Sequence, residues 1–257
     1  MKFSANLGFL WTELSLPDAI RAAHRSGFDA VECHWPYNTA IDLVQDALRE
    51  TDFQMLGLNT RRGDLSKGEN GLAALPGRQD EARAAIDEAL YYAKATGTAN
   101  VHVMAGFASG AEAEAIFYEN LKYACEEAES LGVTILIEPL NRHDAPNYYL
   151  STTGQAADII ARLDRRNLKI LFDCYHVQRT EGDIIQRLQS LMPIIGHIQI
   201  ASSPYRGTPD HGELHYPFIL SEIERMGFTS PIGAEYKPGV GVSTDVTLSW
   251  LKAYNNS

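Results

Sequence analysis

The chain has 257 residues, 45% of them hydrophobic and 21% charged, with a formal net charge of −11 and a pI near 5.2. That composition belongs to a globular protein with a sizeable core, and it weighs against disorder and against a binder that neutralises many phosphates. The widely spaced cysteines Cys33, Cys125 and Cys174 form no CxxC pair, which leaves neither a disulfide framework nor a thiolate zinc site.

The opening residues from Met1 to Asn6 lack the long apolar stretch of a signal peptide, and no run approaches the ~18 apolar residues of a membrane span, so the expected location is the cytoplasm. Short apolar runs rich in β-branched residues then alternate with amphipathic runs rich in Ala, Leu and Glu. In chain order, the pattern predicts a strand over 3–7 and a helix over 17–26, then a strand over 30–34 and a helix over 40–51. A strand over 54–58 precedes an irregular stretch over 59–77 and a helix over 78–96. Strands over 100–104 and 134–138 follow, with helices over 111–131 and 153–163. The last three units are strands over 169–173, 196–200 and 232–235, with helices over 183–191, 216–226 and 243–254. Gly27, Gly97, Gly132 and Gly227 stand where left-handed caps end helices. Eight βα units in ~250 residues predict a single (β/α)₈ TIM barrel over 1–257. A doubly wound open sheet is the structural rival, but no strand is followed by a GxGxxG or GxxxxGK[ST] phosphate loop. The 59–77 stretch follows a strand's carboxyl end, which favours a functional loop over a simple insertion.

Polar residues interrupt the late strands at corresponding places. The runs ending at Glu138, Asp173 and Glu235, together with Gln199 in His197-Ile198-Gln199-Ile200, set oxygen donors at the ends of the last four strands. In a barrel those ends converge, and three carboxylates so close repel unless a cation sits among them. The expected ligands of one divalent metal are therefore Glu138, Asp173, Gln199 and Glu235, an all-oxygen set suited to Mg²⁺ or Mn²⁺, with Co²⁺ also compatible. A metal holding both oxygens of a hydroxycarbonyl acidifies the adjacent C–H, so Glu138 and Glu235 are the expected acid/base pair of an isomerisation through an enediolate. No organic cofactor is needed. His176, three residues beyond Asp173, is placed to contact substrate, and Arg206, in the loop after Gln199, is placed to clamp a carboxylate. Glu32 and His102 are candidates for supporting contacts or for buried polar residues satisfied by neighbours.

The motifs Glu138-Pro139-Leu140-Asn141, Phe172-Asp173-Cys174-Tyr175-His176, His197-Ile198-Gln199-Ile200-Ala201 and Gly233-Ala234-Glu235-Tyr236-Lys237-Pro238 resemble the hydroxypyruvate isomerase family of the xylose-isomerase-like barrels. The likeness runs nearly end to end. It includes the opening Phe3 to Leu7, Val31-Glu32, Pro36-Tyr37, and the loop from Gly63-Asp64 to Pro76-Gly77-Arg78. The resemblance implies isomerisation of hydroxypyruvate to 2-hydroxy-3-oxopropanoate (tartronate semialdehyde), or of a four-carbon 2-oxo acid. It also implies the same four metal ligands and two proton carriers. Lys237, two residues past Glu235, joins His176 and Arg206 as a substrate contact. Gln199 stands where ketose 3-epimerases usually carry His. Two segments depart from the family pattern: Arg61-Arg62 replaces a Pro and a small or apolar residue, and Phe107 follows Gly106 where Lys is frequent.

The rival functions are a ketose 3-epimerase, a non-catalytic sugar-acid binding barrel, and an abasic-site endonuclease, which would need a His-rich metal cluster and a basic groove. The expected partner is a small 2-oxo acid or sugar, with no nucleic acid and no membrane; a homo-oligomer is compatible with the sequence.

Overall fold

The computed structural model describes residues 1–255, and the last two residues of the 1–257 span lie outside the described residues. Eight parallel strands run as β1 (Phe3–Asn6), β2 (Ala30–Glu32), β3 (Gly57–Asn59), β4 (Asn100–His102), β5 (Thr134–Ile137), β6 (Leu168–Asp173), β7 (Ile195–Ile200) and β8 (Ile232–Ala234). Their order around the sheet is β2-β1-β8-β7-β6-β5-β4-β3. The two ends of that order meet: Val31 N donates to Gln54 O at 3.2 Å, Leu56 N to Val31 O at 2.7 Å, and Cys33 N to Gly57 O at 3.0 Å. The sheet therefore closes into the nearly complete barrel that eight βα repeats predict.

Between and after the strands lie α1 (Leu16–Arg25), α2 (Ile41–Thr51), α3 (Gln79–Thr96), α4 (Gly110–Glu129), α5 (Thr153–Leu163), α6 (Cys174–Thr180), α7 (Ile184–Leu191), α8 (Tyr216–Arg225) and α9 (Ser249–Asn255). Local chemistry sets several ends: Ser15 caps α1 beside Pro17, Thr152 Oγ1 accepts Gln155 N at 3.1 Å, and Gly97 closes α3 at φ 68°. Three elements differ from the sequence reading. The third strand is displaced to Gly57–Asn59 because its earlier residues make only a bridge to Val31, while the ladder with β4 starts at Gly57. Helix α6 was not predicted; it starts directly after Asp173, whose Oδ1 accepts Tyr175 N at 2.8 Å and so acts as its N-cap. The final helix is split into a 3₁₀ turn over Thr244–Thr247 and then α9.

Alternation along the strands sorts the residues. Phe3, Val31, Val101, Ile135, Ile137, Ile170, Phe172, Ile198 and Ile232 belong to the continuous hydrophobic core. Phe3 meets Trp250 of α9 edge-on at 5.1 Å. The intervening positions face the barrel axis and are unusually polar. Asn6, Glu32, His102, His197 and Gln199 join Leu136 and Leu171 around an axial cavity of about 20 Å³.

Candidate active site

Glu138 directly follows β5, Asp173 ends β6, Gln199 is the last residue but one of β7, and Glu235 directly follows β8. All four are buried at the carboxyl end of the barrel. Glu138, Asp173 and His176 offer ligand atoms that all lie within 4.8 Å of one another. Glu235 is tied to Asp173 by Arg206, whose Nη2 donates to Asp173 Oδ2 at 3.2 Å and also to Glu235 Oε2. Gln199 is turned toward the axis, its Nε2 donating to Glu32 Oε1 at 2.6 Å. Among the described residues, Oε1 of Gln199 and Oε1 of Glu138 are buried without a hydrogen-bond partner. Buried oxygens left open in this way are unusual. They fit a cation-binding donor set, and the buried Glu/Asp/His group could hold a metal ion.

Beneath the carboxylates, Glu32 organises the polar axis. Its Oε1 accepts Asn6 Nδ2 at 2.9 Å along with Gln199, while Oε2 accepts Ser4 Oγ at 2.9 Å and lies 2.5 Å from His197 Nε2. Asn6 Nδ2 also reaches Glu235 Oε1 at 3.0 Å, so one carboxylate below is linked to two candidate ligands above. Gly233 makes room for it: a Cβ there would lie 2.7 Å from both Glu32 carboxylate oxygens.

The two proposed proton carriers sit in opposite electrostatic settings. Burial raises the Glu138 carboxyl well above the usual carboxylate range, and the charges of Glu235 and Asp173 push it further. Burial acts the same way on Glu235, but Arg206 and the hydrogen bond from His34, 2.8 Å away, outweigh it and hold that carboxyl low. Asp173 is raised to about 7 by burial, against the opposing charge of Arg206. For Glu32, His197 and the Gln199 amide overcome burial and keep the carboxylate ionised.

His176 lies on α6 rather than in the loop expected above the barrel. Its Nδ1 accepts Asn141 N at 3.0 Å, so the ring hydrogen is on Nε2, which faces Asp173 Oδ2 at 3.6 Å and Glu138 Oε1 at 3.9 Å. Burial, then Arg206, keep the imidazole neutral. Arg206 has left-handed backbone at φ 54°, and its guanidinium lies 4.9 Å from the Phe9 ring centre and 5.0 Å from that of Tyr175. Lys237 is exposed, with Nζ 5.7 Å from the Phe9 ring centre. His102 Nδ1 lies 3.5 Å from Glu138 Oε2, and neither ring nitrogen, both buried, makes a hydrogen bond among the described residues. The loop after β3 is a pinned wall: Gly71 N bonds Arg62 O at 2.9 Å, and Ala74 N bonds Ala105 O at 2.7 Å. His34 and Asn6 are site residues that sequence reasoning missed. Their signal was the period of two, since each stands two residues from another axial polar group, Glu32 and Ser4. A separate groove of about 600 Å³ between α8 and α9, lined by Tyr216, Leu220, Trp250 and Tyr254, contains none of these residues.

Parallel strands, an axial polar stack and converging carboxylates define a (β/α)₈ barrel with a candidate site at the carboxyl end of its strands. Residues 20–254 match the xylose isomerase-like TIM barrel family, and the chain belongs to it. It is 41% identical to the 2-oxo-tetronate isomerase of Cupriavidus necator, over 98% of each chain. It is also 35% identical to the hydroxypyruvate isomerase of Escherichia coli, over 99% of each. A solved structure from Brucella melitensis, described as an AP endonuclease of family 2, superposes with a TM-score of 0.94 at 34% identity, covering 98% of both chains. The chain is an isomerase of this family.

Proposed function

We propose that this isomerase converts a small 2-oxo hydroxy acid, most simply hydroxypyruvate to 2-hydroxy-3-oxopropanoate, with Glu138 and Glu235 as proton carriers. The observation that carries the reading is the burial of Glu138, Asp173 and Glu235 around Arg206 at the ends of three strands, with open oxygens on Glu138 and Gln199. Glu138, Asp173, Gln199 and Glu235 would hold one divalent cation, Mg²⁺, Mn²⁺ or Co²⁺, matching an all-oxygen donor set. When bound, such a cation supplies Lewis acidity toward the two oxygens of a hydroxycarbonyl.

The chain's own groups do the rest. Glu235 takes a proton from C3 of hydroxypyruvate, and the C3–H electrons form the C2–C3 double bond of the enediolate. The hydroxyl hydrogen moves from O3 to O2, Glu138 delivers a proton to C2, and C3 becomes the aldehyde carbon. Exchange with solvent resets both carboxyls. Arg206, already between Asp173 and Glu235, stabilises the negative charge that develops, and Nε2–H of His176 is a donor aimed at the same space. A single histidine in the metal-competent group favours this chemistry over that of a His-rich nuclease centre.

The test is a ¹H NMR assay of the metal-loaded protein with hydroxypyruvate in D₂O, with Glu235→Gln and a neutral ketose as controls. Conversion lost in the variant is the expected result. Turnover of the ketose alone would place the chain with the 3-epimerases instead.

A further inference from the structure

Several cations near the rim of the barrel are committed to carboxylates. Arg206 holds Asp173 and Glu235, Arg61 grips Glu88 with Nε at 2.5 Å and Nη2 at 2.9 Å, and Arg78 holds Glu69 at 2.7 Å as well as Glu81. Arg62 is different. Among the described residues its side chain forms neither an ion pair nor a hydrogen bond, and its Nε is buried without a partner, whereas Arg179, also without an ion pair, donates to Pro204 O at 3.0 Å. The Arg62 guanidinium is nonetheless held in place, 4.5 Å from the ring centre of Trp35. Trp35 is itself fixed by Nε1 donating to Thr60 O at 3.1 Å, and it packs on His34 at 4.9 Å, the residue that bonds Glu235. A continuous run of side chains thus joins Arg62 to a proposed catalytic carboxylate. A guanidinium preorganised in this way, partly desolvated and without a counter-ion, is a built receptor for an anion.

Other cations at this end also lack an ion pair among the described residues: Arg142 bonds Ser151 Oγ at 3.3 Å, Arg179 bonds Pro204 O at 3.0 Å, and Lys237, which follows β8, has Nζ 5.7 Å from the Phe9 ring centre. The strand before Lys237 is separated from β3 by β1 and β2, three interstrand spacings of about 4.8 Å each. Anchored on strands that far apart, Arg62 and Lys237 suit the two ends of an extended molecule. We propose that Arg62, seated on Trp35, is a second anion subsite that binds a terminal carboxylate or phosphate at the far end of an acyclic 2-oxo acid longer than three carbons. This deepens the isomerase reading and rests on it for the identity of the near end.

Equilibrium binding to the full chain, by calorimetry, tests the subsite without turnover. The probes are glutarate and 3-phosphoglycerate, counted as dianions because each has an anionic group at both ends, each against a monoanion of similar length, butyrate and glycerate. The wild type is expected to bind at least one dianion tenfold or more tightly than its partner, and the pair that shows it distinguishes carboxylate from phosphate. Arg62→Met, which keeps an apolar stem on the indole, should erase that preference, and Arg61→Met should leave it intact. Equal binding of dianions and monoanions by the wild type, or equal losses in both variants, would overturn the proposal. Hydroxypyruvate turnover is measured on the same samples. Its absence alongside a retained dianion preference would count against the isomerase reading and leave the subsite standing.

Discussion

Replacing Glu32 tests whether the axial network orients a metal ligand or merely fills space. In the native site, Glu32 Oε1 receives Asn6 and Gln199, and Oε2 faces Ser4 and His197. Glu32→Leu removes all four acceptor contacts, strands buried donors and frees the Gln199 amide to turn its nitrogen toward the carboxylates. Breaking a buried charged pair costs about 3–5 kcal/mol, which for a chain of this size lowers Tm by roughly 6–20 °C. Loss of an outer-shell partner weakens metal binding about 10–100-fold, or about 1.4–2.8 kcal/mol. Glu32→Gln behaves differently. Its carbonyl can keep Asn6 and Gln199, while its NH₂ meets Ser4 and His197, both able to switch from donor to acceptor. Mn²⁺ affinity, read by electron paramagnetic resonance titration beside thermal melts, should therefore fall less than tenfold in Glu32→Gln. Equal losses in the two variants would show that charge matters and amide orientation does not. Wild-type affinity in Glu32→Leu would refute the whole argument.

Glu138→Gln should lower kcat by about 10²–10⁴ with the fold intact, read as deuterium incorporation from D₂O; a loss below tenfold would remove Glu138 as a proton carrier. Because burial raises Glu138 and holds Asp173 at about 7, the metal-free site retains protons near neutrality that a cation must displace. Metal affinity should thus rise as pH rises through about 7, with proton release visible by calorimetry in buffers of different ionisation heat; no release would contradict the assignment. The same raised carboxyls bind more protons folded than unfolded, so without metal the Tm should fall as pH climbs toward 7, and saturating metal should reverse the fall. Gly233→Ala forces a methyl to within 2.7 Å of both Glu32 oxygens and should cost about 1–3 kcal/mol, with a lower Tm and unchanged far-ultraviolet circular dichroism. An unchanged Tm would mean that Glu32 yields freely.

The barrel was legible because its cause is local. Apolar runs ending in carboxylates, separated by amphipathic helices with capping residues, specify βα units, and eight units have few ways to bury their strands. Glu138, Asp173, Gln199 and Glu235 could be read for the same reason, since position at a strand end translates directly into position at the mouth. Helix α6 escaped notice because its start depends on Asp173 turning one oxygen back to Tyr175 N. His34 and Asn6 escaped because their partner, Glu235, lies 201 and 229 residues away. Pairing at such range is set by barrel closure and strand stagger, which leave no trace in short-range pattern. By itself, then, the sequence determined the barrel and which polar side chains stand at the carboxyl ends of its last four strands. Tertiary structure alone decided that Arg206 lies between two of them, that Gln199 faces Glu32, and that Arg61 finds a carboxylate while Arg62 does not, because side-chain partnership depends on which strands closure brings side by side.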